Sequence, residues 1–181
     1  MWNELEMEIG ICEKCHLEKI RKEPVSGKGS EKAKILFVLD NVSEEEDRKN
    51  DLLTDKKGEY FKKFLEYSRI NLKKCYFTTL TKCSSHGEII ENKCVLKCRD
   101  FLITQIALLN PEYIVTVGEN PTKSFIKSKE EIKSMIGKIY GYIGGIKIVP
   151  IYDLSYLFKA TDKEKWQVIK ILEELDRRVG I

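Results

Sequence analysis

Cysteine carries the clearest chemical signal in this chain. Cys12 and Cys15 frame the turn Cys12-Glu13-Lys14-Cys15, a spacing that presents two thiolates to one ion or cluster. Cys83 ends a strand-like run, and Cys94 and Cys98 share one face of the helix-like run that follows. A site made of Cys12, Cys15, Cys83 and one of Cys94 or Cys98 closes a long loop and anchors an N-terminal segment poor in apolar residues. Four sulfur ligands in a protein of this size indicate structural zinc or an iron–sulfur cluster. Spacing alone selects neither the metal nor the fourth cysteine. Cys75, inside an apolar run, reads as a small core residue. His16, beside Cys15, is surplus once four cysteines are counted, and His86 lies in the loop Ser84-Ser85-His86-Gly87.

The elements that must position these residues follow from apolar patterning. Ala33 to Leu39, Cys75 to Leu80 and Tyr113 to Val117 are short, nearly all-apolar runs and read as buried strands. Ile139–Tyr142 and Ile146–Ile151 flank Gly144-Gly145 and read as a hairpin. Helical spacing marks Gly58 to Ile70 and Cys94 to Leu109, the latter stopped by Asn110-Pro111. A last helix runs through Trp166, Ile169, Leu172 and Leu175, capped by Thr161-Asp162. The run Glu44-Glu45-Glu46-Asp47 suits the first turn of a helix. Strands alternating with helices predict a parallel sheet covered on both faces, with ligands at the carboxyl ends of the strands. Those ends carry Asp40-Asn41, Thr79 to Cys83, Gly118-Glu119-Asn120 and Tyr152-Asp153.

Composition narrows the class. With 181 residues, 42% hydrophobic and 34% charged, the chain reads as one globular domain, residues 1–181. Within it, 1–32 is an N-terminal ligand-bearing arm and 33–181 an α/β core. No apolar run approaches the roughly 20 residues that span a bilayer, and the acidic, amphipathic start does not resemble a secretory signal. A cytoplasmic monomer is expected, its cysteines serving as ligands or buried thiols rather than disulfides. The net charge of +3 is compatible with a nucleic-acid groove but does not require one. Gly27 and Gly29 form no nucleotide-binding fingerprint, because no strand precedes them.

Several segments form an ordered series: Cys12-Glu13-Lys14-Cys15-His16-Leu17, Arg21, and Val25-Ser26-Gly27-Lys28-Gly29; then Ile35-Leu36-Phe37-Val38 with Glu46-Asp47. Thr78-Thr79-Leu80-Thr81-Lys82-Cys83 follows, then Cys98-Arg99-Asp100-Phe101-Leu102 with Gln105-Ile106 and Pro111, and last Pro150-Ile151-Tyr152-Asp153-Leu154-Ser155-Tyr156-Leu157. Along almost its full length this series resembles the iron–sulfur uracil-DNA glycosylases of the thermophile and archaeal type (family 4). The resemblance implies a three-layer α/β/α sandwich around a mostly parallel four-stranded sheet, and DNA as the partner. It also implies a 4Fe–4S cluster on Cys12, Cys15, Cys83 and Cys98, with structural zinc in the same cage as the alternative.

Carried over position by position, the family's catalytic pattern is altered. Its acidic loop residue is matched by Asp40, and its small turn by Asn41-Val42-Ser43. Its stacking aromatic is matched by Leu53, its edge-reading asparagine by Thr79 and its histidine by Asp153. Leu53 forfeits part of the roughly 1–3 kcal/mol of base–aromatic stacking, and a threonine hydroxyl lacks the amide's paired donor and acceptor. An ionised Asp153 would repel a departing base anion by about 1–4 kcal/mol at 4 Å for dielectrics of 80 to 20. Two readings follow: a glycosylase using Asp40 and Asp153 as a carboxylate pair on uracil or another base, or a catalytically impaired DNA-binding module that works with a replication or repair protein. Lys82, Lys97, Arg99 and Lys159, with Lys93, are the residues expected to meet phosphates.

Overall fold

Alternation along three buried strands sets the architecture. The computed structural model describes residues 1–180. Strands are β1 Lys28–Gly29, β2 Ile35–Leu39, β3 Cys75–Thr79, β4 Tyr113–Val117, β5 Tyr140–Gly141 and β6 Lys147–Ile151. Helices are α1 Trp2–Gly10, α2 Glu44–Lys49, α3 Lys56–Tyr67, α4 Asn92–Leu109, α5 Glu119–Phe125, α6 Ile132–Met135, α7 Leu154–Lys159 and α8 Asp162–Arg178. Every residue of β2, β3 and β4 is buried, as expected for parallel strands covered on both faces. Ile35, Phe37 and Leu39 pack in one core with Phe61 and Phe64 of α3 and Leu172 of α8. Leu36 and Val38 point the other way, into a second core with Leu102, Ile106 and Leu109 of α4. The result is the expected three-layer α/β/α sandwich.

The sheet order is β1-β3-β2-β4-β6-β5. β3, β2, β4 and β6 are parallel, with Phe37 opposite both Phe77 and Val115. The Phe37 and Phe77 rings stack at 4.8 Å across this register. A two-residue antiparallel strand extends each edge. One is the predicted hairpin, β5 turning through Ile143–Gly145 into β6. The other, β1, was not visible in the sequence because two residues show no alternation.

Helix starts follow side-chain chemistry. Ser43 and Thr161 each form a reciprocal capping box with the glutamate three residues on, and Asp55 caps α3. The chain leaves β2 toward α3 on one face and leaves β4 toward α5 on the other. The carboxyl ends of β2 and β4 therefore bound a topological switch point, where open α/β sheets hold ligands. No helix among the described residues is long and apolar enough to cross a membrane.

Candidate functional site

Five of the six cysteines meet at one place. Cys12 and Cys15 follow α1, Cys83 follows β3, and Cys94 and Cys98 lie on the first half of α4; all five line a single small cavity beside Leu17 and Phe101. Arg21 donates to the Cys83 Sγ at 3.2 Å and to the Cys12 carbonyl at 2.8 Å. The backbone N–H of Lys82 donates to the Cys98 Sγ at 3.3 Å. Among the described residues no carboxylate lines the cavity, whereas Lys14, Lys82 and Lys97 do. Burial pushes the Cys83 thiol up to about 11 against the pull of Arg21, and burial likewise raises Cys98. Metal binding at these thiols would release their protons. Cys94 is buried, with its Sγ 3.5 Å from His16 Nδ1. Cys75 stands apart in the α3-side core, its thiol pushed up to about 12 by burial.

The donor set is sulfur with cationic neighbours, which suits a group that carries thiolate charge. Among the described residues, no three His, Cys, Asp or Glu side chains converge on one ion-sized point. Sulfurs bound at about 2.3 Å to a single tetrahedral zinc must stand roughly 3.8 Å apart. Thiolates of this kind are ligands for zinc and for iron–sulfur clusters alike.

At the other predicted position, the strand ends, Asp40 and Asn41 line one cavity that Leu53, Thr79 and Asp153 do not line. Asp40 is half-buried at the end of β2 and accepts from the Asn120 Nδ2 at 2.9 Å, a bond that spans the switch point. Burial raises its pKa above the ordinary 3.8; Asn120 opposes the rise and the nearby charge of Asp153 adds to it. Asp153 Oδ1 accepts from the Ser155 and Tyr156 N–H groups at 2.8 and 3.3 Å, capping α7. Gly118 makes room for this aspartate, since a Cβ there would lie 3.2 Å from the Asp153 Cβ at a φ of +99°.

Leu53 is 2% exposed and Thr79 0%. Both belong to the α3 side of the sheet: Leu53 packs in that core, and Thr79 shares the parity of Cys75 and Phe77. Among the described residues the Thr79 hydroxyl has no hydrogen-bond partner. Asp40 and the exposed Asn41 instead line a cavity of about 590 Å³ on the α4–α5 side.

Among the basic residues, Lys97, Arg99 and Lys159 are exposed, as phosphate contact requires. Lys82 corrects the sequence reading. It is 1% exposed, and its Nζ donates to the Thr78 hydroxyl at 2.6 Å and the Thr79 carbonyl at 2.7 Å. Burial lowers its pKa to about 8. In this conformation it braces the end of β3 and does not reach a phosphate.

The acidic pair named in the sequence series, Glu46 and Asp47, is buried, which the sequence reading did not anticipate. Glu46 accepts from the Ser43 N–H at 2.9 Å and the Leu53 N–H at 2.7 Å, holding Leu53 at a φ of +59°. Asp47 accepts from the N–H groups of Lys22 and Glu23 and meets His86 Nε2 at 2.7 Å. His86 is thereby committed to α2 rather than to the strand ends. Nothing in the run of four acids marks two of them as inward-facing; only the tertiary fold does.

Comparison with known proteins places this geometry in a family. Residues 26–176 match the family model described as the Uracil DNA glycosylase superfamily. The type-4 uracil-DNA glycosylase of Thermotoga maritima is 27% identical over 170 residues, covering 92% of this chain and 86% of the relative. That of Saccharolobus solfataricus is 29% identical over 176 residues, covering 95% and 82%. A DNA polymerase of Bacillus phage SP01 is 28% identical over 145 residues, 79% of this chain but only 16% of the polymerase. With its sandwich, its strand-end acid and its cysteine-lined cavity, the chain belongs to the uracil DNA glycosylase superfamily, as a divergent member similar to the type-4 enzymes.

Proposed function

We propose that this chain is a DNA glycosylase-like protein that excises uracil, or another modified base, from DNA. The observation that carries the reading is Asp40: a half-buried carboxylate at the switch point, at the rim of a cavity of about 590 Å³. Base excision needs the nucleotide taken out of the stack, and it passes through a positively charged, oxocarbenium-like sugar. The ionised Asp40 opposes that charge and orients the attacking water, while Asn120 fixes its direction. Asp153 is the weaker half of the proposed pair. Its carboxylate is occupied by the start of α7, so it offers the departing base a nearby negative charge and no donor. Asn41, Leu53 and Thr79 are the base-binding positions by likeness to the family. Lys97, Arg99 and Lys159 supply the exposed positive charge for the phosphates.

In the same proposal Cys12, Cys15, Cys83 and Cys98 hold a 4Fe–4S cluster, supported by the cavity that five cysteines line and by the type-4 relatives. When bound, the cluster ties the N-terminal arm to α4 and to the loop after β3. The bond to the base breaks elsewhere, at Asp40. A second reading, a DNA-binding module with little activity that serves a replication or repair protein, is favoured by the burial of Leu53 and Thr79 and by the polymerase relative. A labelled single strand carrying one uracil, incubated with the protein and then with alkali, separates the two. Cleavage at the uracil is expected. A strand that stays intact for uracil and for a panel of damaged bases, yet is bound in a salt-sensitive manner, gives the answer to the module reading.

A further inference from the structure

The sheet separates residues that a single base pocket would need together. Leu53 and Thr79 are covered on the α3 side, and the open volume lies across the sheet between α4 and α5. We propose that this α4–α5 cavity is a nucleotide subsite, taking one unstacked nucleotide of a DNA single strand with its base edge turned to Asp40, Asn41 and Asn120. The inference rests on the DNA-acting role proposed above and moves its substrate to the other face of Asp40.

Size, position and lining agree. About 590 Å³ falls within the roughly 300–1,000 Å³ of small-ligand sites. The cavity opens at the switch point, where the Asp40–Asn120 bond bridges β2 and α5. Leu80, Leu102 and Ile106 form the apolar part of its wall, and the half-buried rings of Phe125 and Tyr142 meet edge to face at 5.5 Å. Those rings offer a surface on which a base can stack. The rim carries the reading groups. Asn120 spends one amide hydrogen on Asp40 and keeps its carbonyl and second hydrogen for a ligand, and Asn41 adds a second amide. Arg99 lies on the same rim and matches a phosphate in charge, whereas Lys123 is paired with Glu119 and Glu88 also lines the cavity. Ile89, Leu96 and Ile103, exposed apolar residues along one lip, are placed to cover the sugar.

Photocrosslinking tests the placement. A short single strand carrying one 5-iodouracil is bound to the full-length protein, irradiated, and the modified peptide identified by mass spectrometry. Attachment at Phe125 or Tyr142 is expected, and Ser124→Trp, which projects a ring from the exposed rim of α5 into the cavity, is expected to weaken binding at least tenfold with an unchanged melting temperature. Attachment at the Leu52–Leu53 or Tyr152–Tyr156 segments, with Ser124→Trp binding like the parent, overturns the subsite and leaves the glycosylase reading standing. Failure to bind any oligonucleotide overturns both.

Discussion

Asp40, Asp153 and Cys75 show how much a side chain's role depends on what the fold sets beside it. Asp40 has its pKa raised, first by burial and then by the charge of Asp153. The folded state therefore favours its proton. The stability this contributes is complete below the unfolded value and fades as pH climbs through the folded one. Asp153→Asn keeps a competent cap for α7 but removes the repelling charge. A carboxyl-carbon NMR titration is expected to place Asp40 above its ordinary range in the parent and lower in the variant. Equal midpoints would show that the two acids do not sense each other. Cys75 is fully buried, with its thiol pushed up to about 12, so native protein treated with iodoacetamide at pH 8 is expected to leave it unmodified. Asp40 and Asp153 were legible as strand-end acids. The burial of Leu53, Thr79 and Lys82 was not, because residue type says nothing about which face of a sheet a neighbouring loop will cover.

Strands were the most legible elements, since β2, β3 and β4 are short runs rich in apolar and β-branched residues. The helix stop at Asn110 and the cap at Thr161 were legible from their residue chemistry, whereas the capping box at Ser43 emerges only in the structure. The loop from α2 to α3 was not, because long-range contacts fix it. Gly58, one turn into α3, faces the backbone of Leu53, and a Cβ at this position would overlap the Leu53 Cα. Helix propensity alone would make Gly58→Ala stabilising by about 1 kcal/mol. The expected outcome is the reverse, a loss of at least about 1–3 kcal/mol in urea unfolding as packing is forced apart. Glu46→Ala acts on the same loop from the other side. It strands the buried Leu53 N–H and is expected to lose about 1–3 kcal/mol. A neutral result for Gly58→Ala would mean that the loop gives way freely.

At the scale of the whole molecule, the N-terminal arm is held by few apolar contacts: Leu5 and Ile9 of α1 rest on Phe101 of α4. The cysteine cavity adds an attachment through Arg21 and the sulfurs of three separate segments, beside the Asp47 bonds to Lys22 and Glu23 and the pairing of β1 with β3. With the proposed cluster in place, stripping its iron under reducing conditions is expected to make the chain cleavable by trypsin at Lys14, Lys19 and Arg21 while residues beyond 33 resist it, because the two cores flanking the sheet do not involve that arm beyond Trp2 and Val25. A digestion pattern unchanged by iron removal would show that the arm holds by itself. Base removal at Asp40 remains the claim that gives the fold its purpose. It is tested most directly by quantifying, by mass spectrometry, the free base released from a single-uracil oligonucleotide by the iron-loaded protein and by Asp40→Asn. Release by the parent and a fall of at least about 100-fold in the variant, the loss of roughly 2.7 kcal/mol of transition-state stabilisation, is the result expected. No free base from the parent, or equal release from both proteins, contradicts it.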